Sequence, residues 1–290
     1  MTPTVGTLYV VATPIGNLGD LSPRAQKTLA DVQVIAAEDT RHTGQLLKVF
    51  GVSTPMVSLH EHNEAHRSQD LLERLSAGQS IALVSDAGTP LISDPGFSLV
   101  GAARARGIPI VAIPGACAAI AALSIAGLPT DRFTFEGFLA AKTSARRAQL
   151  DSLRSERRTM VFYETPHRLK EALNDLAEIF GEQRLAVVCR ELTKQHESSY
   201  AGTLSELRER SERDSDMSRG EIAIVVAGNP IEMTSASMDA DRLLRELLEE
   251  LSPSQAAKLT AKLTGEKRAE LYERAMSIKE RSAVRGPRQE

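Results

Sequence analysis

Three loops carry most of the residues whose types and spacing could serve chemistry. The first is Thr13-Pro14-Ile15-Gly16-Asn17-Leu18-Gly19-Asp20, the second runs from Ser85 to Gly96 as SDAGTPLISDPG, and the third is Pro114-Gly115-Ala116-Cys117-Ala118. All are dense in Gly, Pro and small polar residues, which let backbone N–H and C=O groups approach a ligand without intervening side chains. A single loop of this kind is equally well read as a tight strand-to-helix turn, whereas three long ones favour a ligand site. Neither common nucleotide fingerprint is met: Gly16-x-x-Gly19 is not G-x-G-x-x-G, and no G-x-x-x-x-G-K-[ST] occurs. Glu38-Asp39-Thr40-Arg41 sets two acids beside a cation, which either orients a substrate hydroxyl or caps the next helix. His60-Glu61-His62-Asn63-Glu64-Ala65-His66 is distantly similar to the His-x-His-x-Asp-His run of metal-dependent hydrolases, but Ala65 stands where the last His should be. His42, His167 and His196 offer no second ligand pair at close spacing, so the expectation is a polar loop rimming a cleft, without a metal. Lys142, Arg146, Arg147, Arg154, Arg157 and Arg158 face only Asp151 and Glu156 in the same stretch. Such clustering in an acidic chain points to phosphate contact over a merely solvated helix face.

The elements that must position these residues are legible as apolar runs. Leu8–Ala12, Val32–Ala37, Ile81–Val84 and Ile108–Ile113 are predicted strands, with helical stretches between them. Ser22 and Pro23 predict a helix start, as N-cap and first helical residue, and another helix is expected to begin near Pro95. Continuously apolar strands alternating with helices predict a parallel sheet covered on both faces. Ligands of such sheets settle at the carboxyl ends of the strands, where all three loops lie. Further strands are predicted at Thr159–Tyr163, Leu185–Cys189 and Ile222–Val226, after a Gly127-Leu128-Pro129-Thr130 join. Residues 229–238 read as a linker, followed by three short amphipathic helices over 239–251, 254–263 and 266–278. The expected fold class is α/β, with a parallel-sheet N-terminal lobe over 1–128, a mixed-sheet second lobe over 129–229, and a small helical module over 239–280.

Composition narrows the function classes. The chain has 290 residues, 42% hydrophobic and 25% charged, which excludes a disordered or fibrous class. A net charge of −3 means that any nucleic acid must be met by a local basic patch. Aromatics make up 4% and Trp is absent, which argues against broad base-stacking platforms. Two cysteines, Cys117 and Cys189, both in apolar contexts, suit a reducing compartment. The first residues show no secretory pattern, and no apolar run approaches the roughly 20 residues that span a bilayer, so a cytoplasmic protein away from membranes is expected.

Five segments, in order, carry a resemblance. They are Thr13–Asp20, Ala37-Glu-Asp-Thr-Arg41, Ser85–Gly96, Pro114-Gly-Ala-Cys117 and Phe162-Tyr-Glu-Thr-Pro-His-Arg168. With them the chain resembles the bacterial ribosomal RNA small subunit methyltransferase I family, the cytidine-2'-O-methyltransferase branch of the tetrapyrrole-methylase superfamily. The match runs from about residue 7 to 229 and continues at Ser254–Leu259 and Lys267–Tyr272. The resemblance implies a two-lobed tetrapyrrole-methylase-like fold, S-adenosylmethionine between the lobes, and a homodimer. It implies that Pro14, Ala87, Gly88, Thr89, Ile92, Cys117, Ala118, Tyr163 or Glu164, and Leu192 border the cofactor. Ring-methylating members often carry Gly-x-Gly-Pro-Gly-Asp and Gly-Gly-Asp-Pro in the first two loops; their replacement here favours the RNA branch and weakens side-chain contacts carried over from those members.

The implied reaction is 2'-O-methylation of a cytidine ribose in small-subunit (16S) ribosomal RNA, free or in the 30S particle. A ribose hydroxyl is poorly acidic, so Glu38, Asp39 and Glu64 are candidate general bases. Arg41, Lys142, Arg146, Arg147, Arg158 and Arg168 are candidate RNA contacts, holding phosphates rather than reading bases. The tail helices could pack on the core, mediate a dimer or contact RNA. Three alternatives stand beside this reading: a porphyrinoid methyltransferase of the same superfamily, a metal-dependent hydrolase built on His60, His62 and His66, and a non-catalytic ribosome-assembly module.

Overall fold

Apolar runs only three or four residues long build the first sheet. They form β1 (Leu8–Val11), β2 (Val34–Ala37), β3 (Met56–Ser58), β4 (Ile81–Val84) and β5 (Ile110–Ile113), in the order β3-β2-β4-β1-β5. Every pairing is parallel, and β2 and β4 are buried at all positions. The computed structural model describes residues 5–60, 63–230 and 240–284. Connecting helices α1 (Pro23–Asp31), α2 (Thr40–Val49), α3 (Glu64–Ser76) and α4 (Phe97–Ala105) cover the sheet. Leu8, Leu71, Leu83 and Leu99 form the core on one face, and Val11, Leu29, Ile35 and Leu47 that on the other. Each such buried side chain contributes roughly 1.5–3 kcal/mol of hydrophobic stabilisation. The Ser22 hydroxyl accepts from Ala25 N at 3.1 Å, and Pro23 opens α1 as the sequence predicts. Helix α4 starts at Phe97 rather than Pro95, because the chain first turns through Gly96 at φ 118°.

The second sheet contains β6 (Phe133–Phe138), β7 (Thr159–Glu164), β8 (Leu185–Arg190), β9 (Ser198–Thr203) and β10 (Ile222–Val226), in the order β6-β7-β10-β8-β9. Only β6 and β7 pair in parallel, so this sheet is mixed. Helices α6 (Thr143–Ser152), α7 (Leu169–Phe180) and α8 (Leu204–Arg213) supply Leu150, Leu173, Leu176 and Leu207 to the core around Phe162 and Ile224. Against the opposite face, alongside Val161, Val187, Ala223 and Val225, packs α5 (Ala118–Ile125), the helix that follows the first sheet's β5. Helix α5 thus carries the chain from the first sheet onto a face of the second.

Strands β3, β6 and β9 escape the sequence reading for physical reasons. All three lie at sheet edges, β3 is three residues long, β6 is broken by Gly137, and β9 (SSYAGT) is largely polar. The chain divides into two compact units, Met1–Asn229 and Pro230–Glu290. In the second, α9 (Ala240–Glu250), α10 (Pro253–Thr264) and α11 (Arg268–Val284) enclose their own small core of Leu244, Ala256, Ala257, Leu271 and Ala275.

Candidate active site

Hydrogen bonds stitch the three small-residue loops into one wall. Thr13 N donates to Gly88 O at 2.9 Å and Gly88 N donates back to Thr13 O at 3.1 Å. The Thr13 hydroxyl donates to Ser85 O at 3.2 Å, and the Thr89 hydroxyl to Ala116 O at 3.0 Å. Gly88 has φ 87°, where L side chains are disfavoured, and a Cβ there would lie 3.2 Å from Ile15. Non-glycine residues in left-handed conformations also gather here: Leu91 and Ser93 in the second loop, Glu191 and Thr193 beside Leu192. Held strain of this kind concentrates where a fold presents a functional surface.

These loops and the second sheet enclose a cavity of about 320 Å³. Its wall is mostly apolar, from Ile15, Ile92, Ala118, Leu192 and Ile222, with Asp94, Glu164 and Glu221 as the acidic groups. Of the ten residues expected to border a cofactor, Ala87, Gly88, Thr89, Ile92, Cys117, Ala118, Tyr163, Glu164 and Leu192 line this cavity. Pro14 does not; its neighbour Ile15 takes that place, because the Thr13–Gly88 bridge sets which residue faces inward. Tyr163 accepts a hydrogen bond from Ala119 N, at the start of α5, at 3.0 Å. Burial pushes its phenol up from the ordinary value, so it stays neutral.

Glu164 is fully buried at its side chain. Its Oε1 accepts from Thr165 N at 2.6 Å and pairs with Arg168 at 2.6 Å, while Oε2 has no partner. A buried carboxylate oxygen without a donor costs more than the roughly 1–3 kcal/mol of a neutral group, so this wall is suited to a cationic or N–H-bearing ligand. Asp94 shares the wall. Burial pushes its carboxyl up to about 6, with the charges of Glu38 and Asp86 adding to the shift and a bond from Ser85 opposing it.

The three expected bases do not line the cavity. Asp39 caps α2, accepting from Arg41 N at 2.8 Å, and pairs with the Arg41 guanidinium at 2.7 Å. Those bonds hold its carboxyl well below the usual range. Glu64 accepts from Ser98 N at 2.8 Å and so caps the first turn of α4. Glu38 receives Asp86 N at 3.4 Å and acts on the site through its charge on Asp94. The residue that sequence reasoning passed over is Asp94, although it stands inside the second loop.

The basic stretch also changes meaning. Arg146 is buried, with Nε donating to Asp175 at 2.7 Å and a second ion pair to Glu171, so it is withdrawn as a phosphate contact. Arg147 pairs with Asp175 and Glu178, Arg154 with Asp151, and Arg158 with Glu156. Helix α7 supplies acids that a count along residues 142–158 cannot include. Lys142 and the Arg41 side chain remain well exposed, whereas Arg168 is turned inward onto Glu164.

Residues 7–208 match the family described as Tetrapyrrole (Corrin/Porphyrin) Methylases, and residues 234–279 match the RsmI C-terminal HTH domain. The ribosomal RNA small subunit methyltransferase I of Xylella fastidiosa strain Temecula1 is 55% identical over 269 residues, covering 93% of this chain and 98% of that protein. The Pseudomonas aeruginosa protein of the same name is 50% identical, covering 94% and 98%. The chain belongs to the ribosomal RNA small subunit methyltransferase I family. Solved structures share the fold of this family. Uroporphyrin-III-C-methyltransferase from Thermus thermophilus aligns with TM-score 0.53 at 22% identity, over 77% of this chain and 94% of that one. Diphthine synthase aligns with TM-score 0.55 at 16% identity, over 76% and 89%. For a member of a methyltransferase family, a hydrolase built on the His60 cluster is not favoured. His60 instead engages Asn63, which accepts from His60 N at 3.0 Å, while His62 lies outside the described residues. Among the described residues no group of three or more His, Cys, Asp and Glu could hold a metal.

Proposed function

We propose that the chain transfers a methyl group from S-adenosylmethionine to the 2'-hydroxyl of a cytidine in small-subunit ribosomal RNA. The observation that carries this reading is the cavity, where small-residue backbone, apolar walls and a partnerless buried carboxylate oxygen on Glu164 converge. Ala87, Gly88, Thr89, Ile92, Cys117, Ala118, Tyr163, Glu164 and Leu192 would hold the cofactor, with Glu164 as the buried acid of that wall, while Glu221 at its rim is paired with Lys194 at 3.2 Å. Bound there, the cofactor would supply an electrophilic methyl on a sulfonium, with a neutral thioether as the leaving group. Asp94, on the cavity wall, would take the hydroxyl proton, and a carboxyl raised to about 6 is suited to that role near neutrality. Rigid loops hold the reacting groups in register, a contribution of about 7–11 kcal/mol in well-oriented systems.

Of the candidate phosphate contacts, Lys142 and Arg41 are well exposed, and Arg147 and Arg158 are half-exposed beside their acidic partners. Among the described residues no helix is long and apolar enough to cross a membrane, which accords with work on ribosomal particles in the cytoplasm. A homodimer is part of the proposal, supported by large apolar side chains left exposed at Phe97, Ile120 and Ile125. Tritium transfer from labelled S-adenosylmethionine to 30S particles lacking the modification, followed by mapping of the labelled sugar, tests the reading. Label on a base, or on a porphyrinogen in preference to RNA, overturns it.

A further inference from the structure

Strand β6 ends in an irregularity that redirects a phenylalanine. Its register against β7 pairs Phe135 with Val161 but Gly137 with Phe162, so Glu136 is an extra, bulged residue. A bulge of this kind re-aims the side chains after it. Regular alternation would set Phe135 and Phe138 on opposite faces; after the bulge both lie edge-on to the Tyr163 ring, at 4.9 and 5.4 Å between centroids. Gly137 adopts φ 68°, and a Cβ there would lie 3.5 Å from the Ser93 hydroxyl, so the strand end abuts the second loop beside Asp94. Phe138 lines the cavity yet stays 51% exposed. Tyr163, anchored by Ala119 N, braces the ring through an edge contact.

We propose that Phe138 is the stacking surface for the target base, receiving the cytosine when the nucleotide leaves its RNA stack. The assignment rests on the RNA-methyltransferase reading and identifies the residue that seats the acceptor. A ribose 2'-hydroxyl is displayed in the shallow groove of stacked RNA, but a nucleotide that enters this cavity to reach a donor held inside it parts from its neighbours and loses their stacking. A braced, half-exposed aromatic ring at the mouth restores that stacking, and it serves one base rather than a run of them. One such ring is compatible with a chain that is only 4% aromatic. The Ser93 and Asp94 side chains lie on the same wall, so base seating and proton removal draw on a single rigid corner.

The test compares wild type, Phe138→Leu and Phe138→Tyr in methyl transfer to 30S particles lacking the modification, with S-adenosylmethionine affinity measured by calorimetry on the same proteins. Phe138→Leu is expected to lower kcat/KM for the particle about 10- to 100-fold, from the stacking energy of one base, mainly through KM. Its S-adenosylmethionine Kd should change less than about threefold, and Phe138→Tyr should restore kcat/KM, because any aromatic face serves. An unchanged kcat/KM in Phe138→Leu overturns the assignment. So does a loss of cofactor affinity that matches the loss in kcat/KM, which would place Phe138 in the cofactor wall instead. Wild-type protein that binds S-adenosylmethionine but labels no RNA overturns the parent reading together with this one, an outcome distinct from either.

Discussion

Asp94 shows how one carboxyl acquires a role from its surroundings. If it takes the proton, the wild-type transfer rate rises with pH through about 6 and then levels, since only the ionised form accepts. Asp94→Asn should lose that limb and about 10²–10⁴-fold in single-turnover rate, measured with bound particle and saturating cofactor. Stability moves the other way. Because the folded value lies above the ordinary 3.8, the contribution is fully present below about pH 4 and is lost as pH rises through about 6. Asp94→Asn should therefore melt higher than wild type at pH 8, with the gap closing below pH 4. Arg146 and Lys142 separate structure from recognition on a single stretch. Arg146→Ala leaves the buried Asp175 with Arg147 as its remaining cation and should cost about 1.5–3 kcal/mol in denaturant unfolding, the worth of a lost charge-assisted hydrogen bond. Lys142→Gln should leave unfolding unchanged, weaken RNA binding, and reduce the slope of log affinity against log salt by about 1.

Loops and strand ends do the positioning. The second loop needs Gly88 and Gly96 in left-handed conformations, and a Cβ on Gly96 would come 2.7 Å from Leu83. Gly88→Ala is expected to cost about 1–2 kcal/mol from backbone strain alone. It should also lower S-adenosylmethionine affinity on calorimetry, since the new methyl presses on Ile15 at the cavity wall. The loops were legible in the sequence because closely approaching backbone demands small residues. The edge strands were not, since an edge tolerates polar residues and a bulge and so blurs period-two alternation. Phe138 was hidden for that reason: its direction depends on a bulge defined only by pairing with β7.

At the level of the whole molecule, the described cavity lies entirely within Met1–Asn229, which carries its own cores. A chain ending at Asn229 should therefore fold, shown by a cooperative melt, and bind S-adenosylmethionine as the full chain does. Its affinity for 30S particles should fall, because residues 234–279 match a helix-turn-helix module and carry Lys258, Lys262 and Lys267. Equal particle affinity in the two proteins would assign the tail a role other than RNA contact.

The order of apolar runs and small-residue loops was enough to specify an α/β chain with a ligand site at the carboxyl ends of its parallel strands, because both follow from local periodicity and backbone sterics. Which acid is basic depended on distances between residues far apart in the chain. Asp39 is quenched by its neighbour Arg41, whereas Asp94 is raised by burial and by Glu38, 56 positions away. Arg146 lost its apparent freedom to Asp175, 29 residues on, brought alongside by α7. Charge balance and proton affinity are properties of neighbours in space, and the fold chooses those neighbours.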